Sequence, residues 1–285
     1  MTSGTSGPPI GITIFLTDTS IGPAELAREV EDRGFESLFV PEHTHIPASR
    51  KTPYPAGEPL PDEYYRTYDP FAALSAAAAV TERIKLGTGI CLVGQHHEIN
   101  AAKSVASVDH LSGGRFVFGI GYGWNEDEMN SHGTAYGERR EVVRERILAM
   151  KALWTEEVAS FEGAHVHLPP TYQWPKPIQT PHPPILIGGA AGPKLFQAVV
   201  DYADGWMPIG GRGLTTNLPK LRAAAEEAGR DPATIRISVF GSQPDPGRLE
   251  HYGTLGAERV VLWLPPAGRD VVLPILDRYT DLLPS

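Results

Sequence analysis

Eight short apolar runs divide the chain, and a segment with helical spacing follows each of them. The runs lie at residues 10–16, 37–40, 84–90, 116–120, 184–188, 205–209, 235–240 and 259–264. Runs of this length and character are typical of parallel strands that are buried on both faces. Eight strand–helix repeats predict a (β/α)₈ TIM barrel, a fold that usually needs about 250 residues.

The alternative is a doubly wound open sheet. That fold requires a glycine-rich phosphate turn after the first strand, whereas Thr17–Ser20 contains no glycine. No change in composition indicates a domain boundary. We therefore predict a flexible tail at residues 1–9 and one α/β barrel domain at residues 10–285, with insertion loops at the carboxyl-terminal rim of the strands.

Composition excludes several classes of function. The net charge is −9 and no basic run occurs, which argues against a nucleic-acid partner. No stretch approaches the ~20 apolar residues of a membrane span, and the N-terminus does not resemble a signal peptide. Cys91 is the only cysteine, so neither a disulfide nor a cysteine-rich zinc site can form. We expect a cytoplasmic protein.

Three irregular segments interrupt the repeats, at residues 43–68, 126–137 and 158–184. The first is rich in proline and tyrosine, and long loops in compact domains are commonly lids or binding loops. We expect these loops to determine the substrate, with Trp124 and Trp174 as possible walls of its pocket.

The active site of such a barrel lies at the carboxyl ends of the strands. Glycines at four of these ends remove side chains and leave room for a large, flat, partly anionic ligand. The residues at the predicted strand ends are Glu42, His43, Gly89, Ile90, Cys91, Gly121, Tyr122, Gly123, Trp124, Asn125, Gly188, Gly189, Ala190, Ala191, Gly192, Gly210 and Gly211.

A metal site is not predicted. His96, His97 and Glu98 form a cluster, but adjacent histidines on a strand point to opposite faces, and no motif such as HExxH is present. Cys91 has no evident partner in the sequence and is interpreted as a small packing residue.

Several segments together resemble one known family. They are SLFVPEH at 37–43, DPFAALSAAAAVTERIKLGTGI at 69–90, SVDHLSGGRFVFGIGYGWNEDEM at 107–129, PKPIQTPHPPILIGG at 175–189 and YADGWMP at 202–208. In this order they resemble the luciferase-like monooxygenase superfamily, specifically its branch of oxidoreductases that use coenzyme F420, a deazaflavin.

The resemblance implies that a flavin-like ring lies across the strand ends. It implies a non-prolyl cis peptide bond at Gly89–Ile90, with Glu42 and His43 near the ring. It places Gly121–Gly123 and Asn125 along the cofactor. The turns at residues 188–192 and 210–211, with Gly188, Gly189, Ala190, Gly192, Gly210 and Gly211, would lie near its phosphodiester tail.

A deazaflavin transfers a hydride, so a nearby group must donate or accept a proton. His43 suits this role, because its pKa ordinarily lies near neutrality. The sugar-phosphate dehydrogenases of the family have a glutamate where this chain has Tyr122, which argues against their substrate and leaves His43 or Tyr122 to supply the proton.

The resemblance thus predicts an F420-dependent oxidoreductase that acts on a small organic molecule and forms a homodimer. FMN is the alternative cofactor, in a two-component flavin monooxygenase on the same scaffold. A non-enzymatic flavin-binding protein is a third possibility, although Glu42 and His43 at a strand end argue against it.

Overall fold

A computed structural model of the chain describes residues 7–284. Most of the predicted tail, residues 1–6, lies outside the described residues. Pro8 is buried, and the carbonyl of Pro9 accepts a hydrogen bond from the N–H of Val260 (2.9 Å). The segment just before the first strand is therefore packed against the barrel.

Eight parallel strands form a closed barrel, which confirms the predicted (β/α)₈ fold. Eight of the ten strands in the described residues belong to this barrel. In chain order the ten are β1 (Ile10–Thr13), β2 (Ser37–Val40), β3 (Lys85–Thr88), β4 (Phe116–Ile120), β5 (Ala159–Glu162), β6 (His167–Thr171), β7 (Ile185–Gly188), β8 (Gly205–Met207), β9 (Arg236–Ser242) and β10 (Arg259–Trp263). The first and last strands pair in register from Ile10 with Val260 to Thr13 with Trp263, and this pairing closes the barrel. β5 and β6 are outside it and form a separate antiparallel hairpin.

The helices follow the strands as expected, with two differences. They are α1 (Pro23–Asp32), α2 (Pro70–Ala78), α3 (Glu98–Leu111), α4 (Glu126–Ser131), α5 (Arg139–Thr155), α6 (Pro193–Tyr202), α7 (Leu214–Glu227), α8 (Pro246–Thr254) and α9 (Arg269–Tyr279). Within residues 7–284, none of these helices has both the length and the apolar character required to cross a membrane.

The prediction of a loop at residues 126–137 is wrong in its first half, which is α4. Asn125 accepts a hydrogen bond from the N–H of Glu128 (3.4 Å) at its side chain and so caps the helix. Three acidic residues in the first turn also interact favourably with the helix dipole. Helix α7 begins four residues before its predicted start at residue 218 and contains Pro219, because the tertiary packing of Leu214 and Leu218 outweighs the helix-breaking tendency of proline.

The barrel interior is filled by large side chains that face glycines. A Cβ atom at Gly87 would collide with the ring of Phe39, and one at Gly89 would collide with the ring of Phe240. A Cβ atom at Gly119 would collide with the carbonyl oxygen of Thr88 and would also approach the sulfur of Met207 (2.9 Å). Because small and large residues alternate in this way, the barrel is a packed core rather than a pore, and any ligand cavity must lie above Met207 and Phe240.

Glu31 supports the opposite end of the barrel. Its carboxylate accepts hydrogen bonds from the backbone N–H groups of Glu82 (3.1 Å), Arg83 (2.6 Å) and Ile84 (3.0 Å), just before β3. Burial acts to raise the pKa of the Glu31 carboxyl, but these hydrogen bonds outweigh burial, so the pKa is lowered. Glu31 therefore fixes the entry to β3 without contacting the rim.

We expect Glu31→Ala to reduce the free energy of unfolding by about 2 kcal/mol, because it leaves one buried and two partly buried N–H groups without this partner. Asp32→Ala, at the exposed neighbouring position, is the matched control. Urea unfolding at neutral pH measures both. The lowered pKa means that the stabilisation is lost as pH falls through the folded-state pKa, so the difference from wild type shrinks in acid. Equal stability of the two variants would contradict this role.

Candidate active site

A cavity of about 530 Å³ opens at the carboxyl-terminal rim of the barrel. Its floor includes Met207 and Phe240, the upper residues of the packed interior. Its wall divides into two parts of different chemistry. One part, formed by the ends of β3, β4 and β7, is mostly backbone, and the other is aromatic.

The backbone part is organised around Ile90. The Gly89–Ile90 peptide bond is cis, as the resemblance implied. The Ile90 side chain occupies the space in which a Cβ atom of Gly121 would lie, and it also approaches the position of a Cβ at Gly188 (3.1 Å). Glycine at these two positions thus lets Ile90 lie across the ends of β4 and β7 and form a smooth surface.

His43 lies on the cavity wall just after β2, and its partner is Glu128 of α4. The Nδ1 atom of His43 is 2.8 Å from Oε2 of Glu128, whose side chain is completely buried. The other carboxylate oxygen accepts a hydrogen bond from the N–H of Thr44 (3.2 Å). Because a carboxylate accepts, Nδ1 carries the proton, and Nε2 is the nitrogen left for a ligand.

Glu42 also lines the cavity, but its carboxylate oxygens already have partners. Oε2 accepts the N–H of Leu92 (2.6 Å), and Oε1 is 2.7 Å from Nε2 of His96. Burial acts to raise the pKa of Glu42, but the hydrogen bond and the charge of His96 outweigh burial and lower it. The same pairing raises the pKa of His96 against the effect of its own burial. Glu42 and His96 therefore form an ion pair.

Cys91 lies beside this pair. A carboxylate oxygen of Glu42, the sulfur of Cys91 and a ring nitrogen of His96 all lie within 4.8 Å of one another. Burial raises the pKa of the Cys91 thiol well above its usual value, and the charge of Glu42 adds to this shift. The interpretation of Cys91 as a packing residue without a partner is thus incomplete, since its neighbour is a carboxylate. His96 turns inward from the turn before α3, not from a strand as expected, and His97 caps that helix.

Tyr122 separates the cavity from a smaller cleft beside α6. Its hydroxyl is 2.7 Å from that of Tyr202, and the guanidinium of Arg140 lies 4.3 Å from its ring centroid. Nη1 of Arg140 and Nε of Arg139 are buried and have no hydrogen-bond partner among the described residues. Arg139 and Arg140 also line the first cavity, so two guanidinium groups stand beside it at the start of α5.

The aromatic part of the wall includes Tyr64, from the segment between β2 and α2. This segment is held over the barrel by Asp127, whose carboxylate accepts the N–H groups of Lys51 (3.0 Å) and Thr52 (2.8 Å) and the hydroxyl of Thr52 (2.6 Å). The hydrogen bonds from Thr52 and Lys51 lower the pKa of Asp127 to about 2. The Asp127 carboxylate that holds this segment is thus ionised at any physiological pH.

A second cavity of about 840 Å³ adjoins the first along Gly189, Ala190 and Ile209. Its lining contains Gly210 and Gly211 as well as two further arginines, which are Arg212 and Arg248. The two cavities together form an extended groove across the ends of β7 and β8.

The structure brings most of the predicted site residues together. The first cavity is lined by Glu42, His43, Gly89, Ile90, Tyr122, Gly123, Gly188, Gly189 and Ala190, and the second by Gly189, Ala190, Gly210 and Gly211. Gly121, Asn125 and Gly192 line neither of them. Asn125, expected along the cofactor, is instead buried as the N-cap of α4, and Gly121 acts through Ile90.

The expectation for the third loop is wrong. No residue of 158–180 lines either cavity, because α5 carries the chain away from the rim before β5 begins. Trp174 is 61% exposed, and its carbonyl accepts a hydrogen bond from Lys103 of α3. It is not a pocket wall.

Sequence reasoning missed Glu128, Tyr64, Phe15 and Trp263. The only available signal for Glu128 was its place three residues after Asn125, a spacing typical of a helix start. The aromatic residues come from distant strand ends and loops, and no local pattern distinguishes them from core residues.

Residues 23–243 match the sequence family described as luciferase-like monooxygenase. The chain therefore belongs to the luciferase-like monooxygenase family. An uncharacterised protein of Mycobacterium tuberculosis is 41% identical over 280 residues, which cover 96% of this chain and 98% of that protein.

Other relatives have names that refer to a cofactor or a reaction. An F420-dependent hydroxymycolic acid dehydrogenase of M. tuberculosis is 28% identical over 235 residues, which cover 79% of this chain and 59% of that protein. The solved structure of a monooxygenase from Streptomyces bottropensis has a TM-score of 0.66 at 26% identity, and the match covers 95% of this chain and 82% of that one. The relatives include a dehydrogenase named for F420 and a monooxygenase named for FMNH₂.

We expect the His43 tautomer to depend on Glu128. In wild type, the neutral imidazole should carry its proton on Nδ1, because Glu128 accepts it. Glu128→Ala removes the acceptor and should populate the Nε2–H tautomer. Long-range ¹H–¹⁵N NMR of labelled histidine measures this ratio, with Glu126→Ala on the same helix as the control. An unchanged tautomer in Glu128→Ala would contradict the assignment.

Proposed function

We propose that the protein is an F420-dependent oxidoreductase that transfers a hydride between the deazaflavin and a small organic substrate. The observation that carries this proposal is that His43, whose Nδ1 is paired with Glu128, lines a cavity with a bare backbone wall on one side. His43 is the proposed proton donor or acceptor. FMN is the alternative cofactor, favoured by the relative named for FMNH₂.

The residues present fit a flat ring system. Ile90 offers an apolar surface, and Gly123, Gly188 and Gly189 expose backbone beside it. Backbone groups can approach a planar ligand closely where no side chain intervenes. Burial in such a cleft excludes water and fixes the orientation of the ring.

The residues also fit an anionic tail that is longer than one phosphate. Arg139 and Arg140 line the first cavity, and Arg212 and Arg248 line the adjoining one. FMN ends in a single phosphate, whereas F420 carries a phosphodiester followed by carboxylates. Because arginines line both cavities, the groove as a whole favours the longer and more anionic cofactor, F420.

F420, when bound, supplies or accepts the hydride. His43 donates or accepts the accompanying proton at Nε2, which acts as a base when the imidazole is neutral and as an acid when it is protonated. Glu128 holds the ring by Nδ1, so that Nε2 stays on the cavity side. The hydroxyl of Tyr122 is engaged by Tyr202, whose pKa is raised by burial and by Tyr122. We therefore propose that His43 transfers the proton and that Tyr122 lies beside the cofactor without taking part in proton transfer.

The cofactor assignment predicts that the purified protein binds F420 more tightly than FMN. Arg248→Ala should weaken F420 binding and leave FMN binding nearly unchanged, because only the longer tail reaches the second cavity. Fluorescence titration at fixed ionic strength measures both affinities. Tighter binding of FMN would overturn the choice of cofactor.

The proton assignment predicts that His43→Ala lowers turnover about 10²–10⁴-fold, the usual range for a general acid or base. Affinity for F420 should change far less, since backbone and arginines hold the cofactor. Turnover is measured with the F420 couple on a substrate identified from enones, imines and secondary alcohols. His45→Ala, at an exposed position nearby, is the control. If turnover and affinity both stay at wild-type values, His43 is a packing residue.

A further inference from the structure

We propose that the substrate of this enzyme is a flat, uncharged, conjugated carbonyl compound, held among the rings of Phe15, Tyr64, Trp124 and Trp263. We call these four residues the aromatic wall. The proposal rests on the proposed function, because it assigns the bare part of the cavity to the cofactor and the aromatic wall to the substrate. It concerns binding, which can be measured without turnover.

The aromatic wall is continuous. Phe15 stacks on Trp263 with ring centroids 6.0 Å apart and planes 6° from parallel, and it meets Tyr64 at 4.8 Å. Tyr64 in turn lies 6.2 Å from Trp124. A surface built only of ring faces and edges favours a ligand that can itself stack or pack edge-to-face.

His43 stands at the inner edge of this wall. Its ring centroid is 4.9 Å from that of Tyr64 and 5.9 Å from that of Trp124. A molecule against the aromatic wall would therefore lie beside the imidazole of His43. The proton donor and the substrate surface are thus parts of one structure.

Within residues 7–284, no unpaired cation lies over the four rings of the aromatic wall. The positively charged residues among those lining the cavity are Arg139 and Arg140, at the start of α5, where Arg140 covers Tyr122. Arg50 lies 5.9 Å from the centroid of Trp124, but it pairs with both carboxylate oxygens of Glu58 (3.0 and 2.9 Å). The guanidinium groups of Arg139 and Arg140 lie over the rings of Tyr136 and Tyr122, outside the aromatic wall. An anionic substrate group held against the aromatic wall would therefore lack a cationic partner there, and its desolvation would be costly.

Tyr64 contributes a ring and not a free hydroxyl. Its hydroxyl is 3.2 Å from that of Tyr54, and burial raises its pKa. The two contacts just after Tyr64 fix this segment to the barrel: Arg66 pairs with Asp18 (2.9 Å), and the hydroxyl of Thr67 donates to the carbonyl of His43 (2.8 Å). Tyr64 is therefore pre-positioned, which reduces the entropy lost on binding.

The test uses protein saturated with oxidised F420 and three unreactive probes. Acetophenone is flat, conjugated and neutral, benzoate is flat and anionic, and cyclohexyl methyl ketone is neutral but saturated. Ligand-observed NMR titration measures the three dissociation constants. We expect acetophenone to bind at least about tenfold more tightly than either of the others, a difference of roughly 1.4 kcal/mol. Equal or tighter binding of benzoate would overturn the proposal, and so would equal binding of the saturated ketone.

Substitutions at Tyr64 test whether acetophenone binds at the aromatic wall. Tyr64→Leu keeps apolar bulk but removes the ring, and it should weaken acetophenone binding about tenfold. Tyr64→Phe keeps the ring and should bind acetophenone nearly as wild type does. Tyr65→Ala, at a 54% exposed neighbour, is the matched control. If Tyr64→Leu binds acetophenone as tightly as Tyr65→Ala does, the aromatic wall is not the substrate site.

The two proposals can fail separately. If F420 does not bind but acetophenone still binds with the same dependence on Tyr64, the cofactor assignment falls and the substrate class stands. If F420 binds and acetophenone does not, the substrate class falls alone. Competition between acetophenone and F420 for one site would show that the aromatic wall holds the cofactor ring, which also overturns the inference.

Discussion

The contact between Ile90 and two glycines is the constraint on which the site depends. The Ile90 side chain takes the space where Gly121 would carry a Cβ atom and lies close to that of Gly188. Any larger residue at Gly121 would push Ile90 into the cavity. Three strand ends are thereby joined under one smooth surface, and Gly121 is needed although it does not line the cavity. Close packing of this kind leaves little room for local adjustment.

The chemistry depends on a second contact between distant parts of the chain. His43 and Glu128 are 85 positions apart. Their meeting requires β2 and β4 to end at the same rim, which the parallel barrel ensures, and it also requires α4 to begin directly after β4. Asn125 starts that helix, so a capping residue acts on the imidazole through one carboxylate.

The difference between the two sides of the cavity connects the structure to the proposed reaction. Backbone and an isoleucine form one side, and Arg139 and Arg140 also line the cavity, which suits the planar anionic cofactor that we propose. Rings form the other side, which suits a planar neutral substrate. His43 lies between them. In the reaction that we propose, the hydride and the proton are exchanged with different groups, and this arrangement would put both groups within reach of one molecule.

The fold could be predicted from the sequence because each strand and helix is specified by local patterns, and the barrel is the common way to bury eight such repeats. The positions of Glu42, His43, Gly89 and Gly188 followed from the rule that strand ends share one rim. The short helix after Asn125 was missed, and so were the roles of Glu128 and Tyr64. Sequence alone determined which strand ends surround the cavity. Only the tertiary structure decided which side chains meet across it, because those contacts depend on the relative placement of segments far apart in the chain.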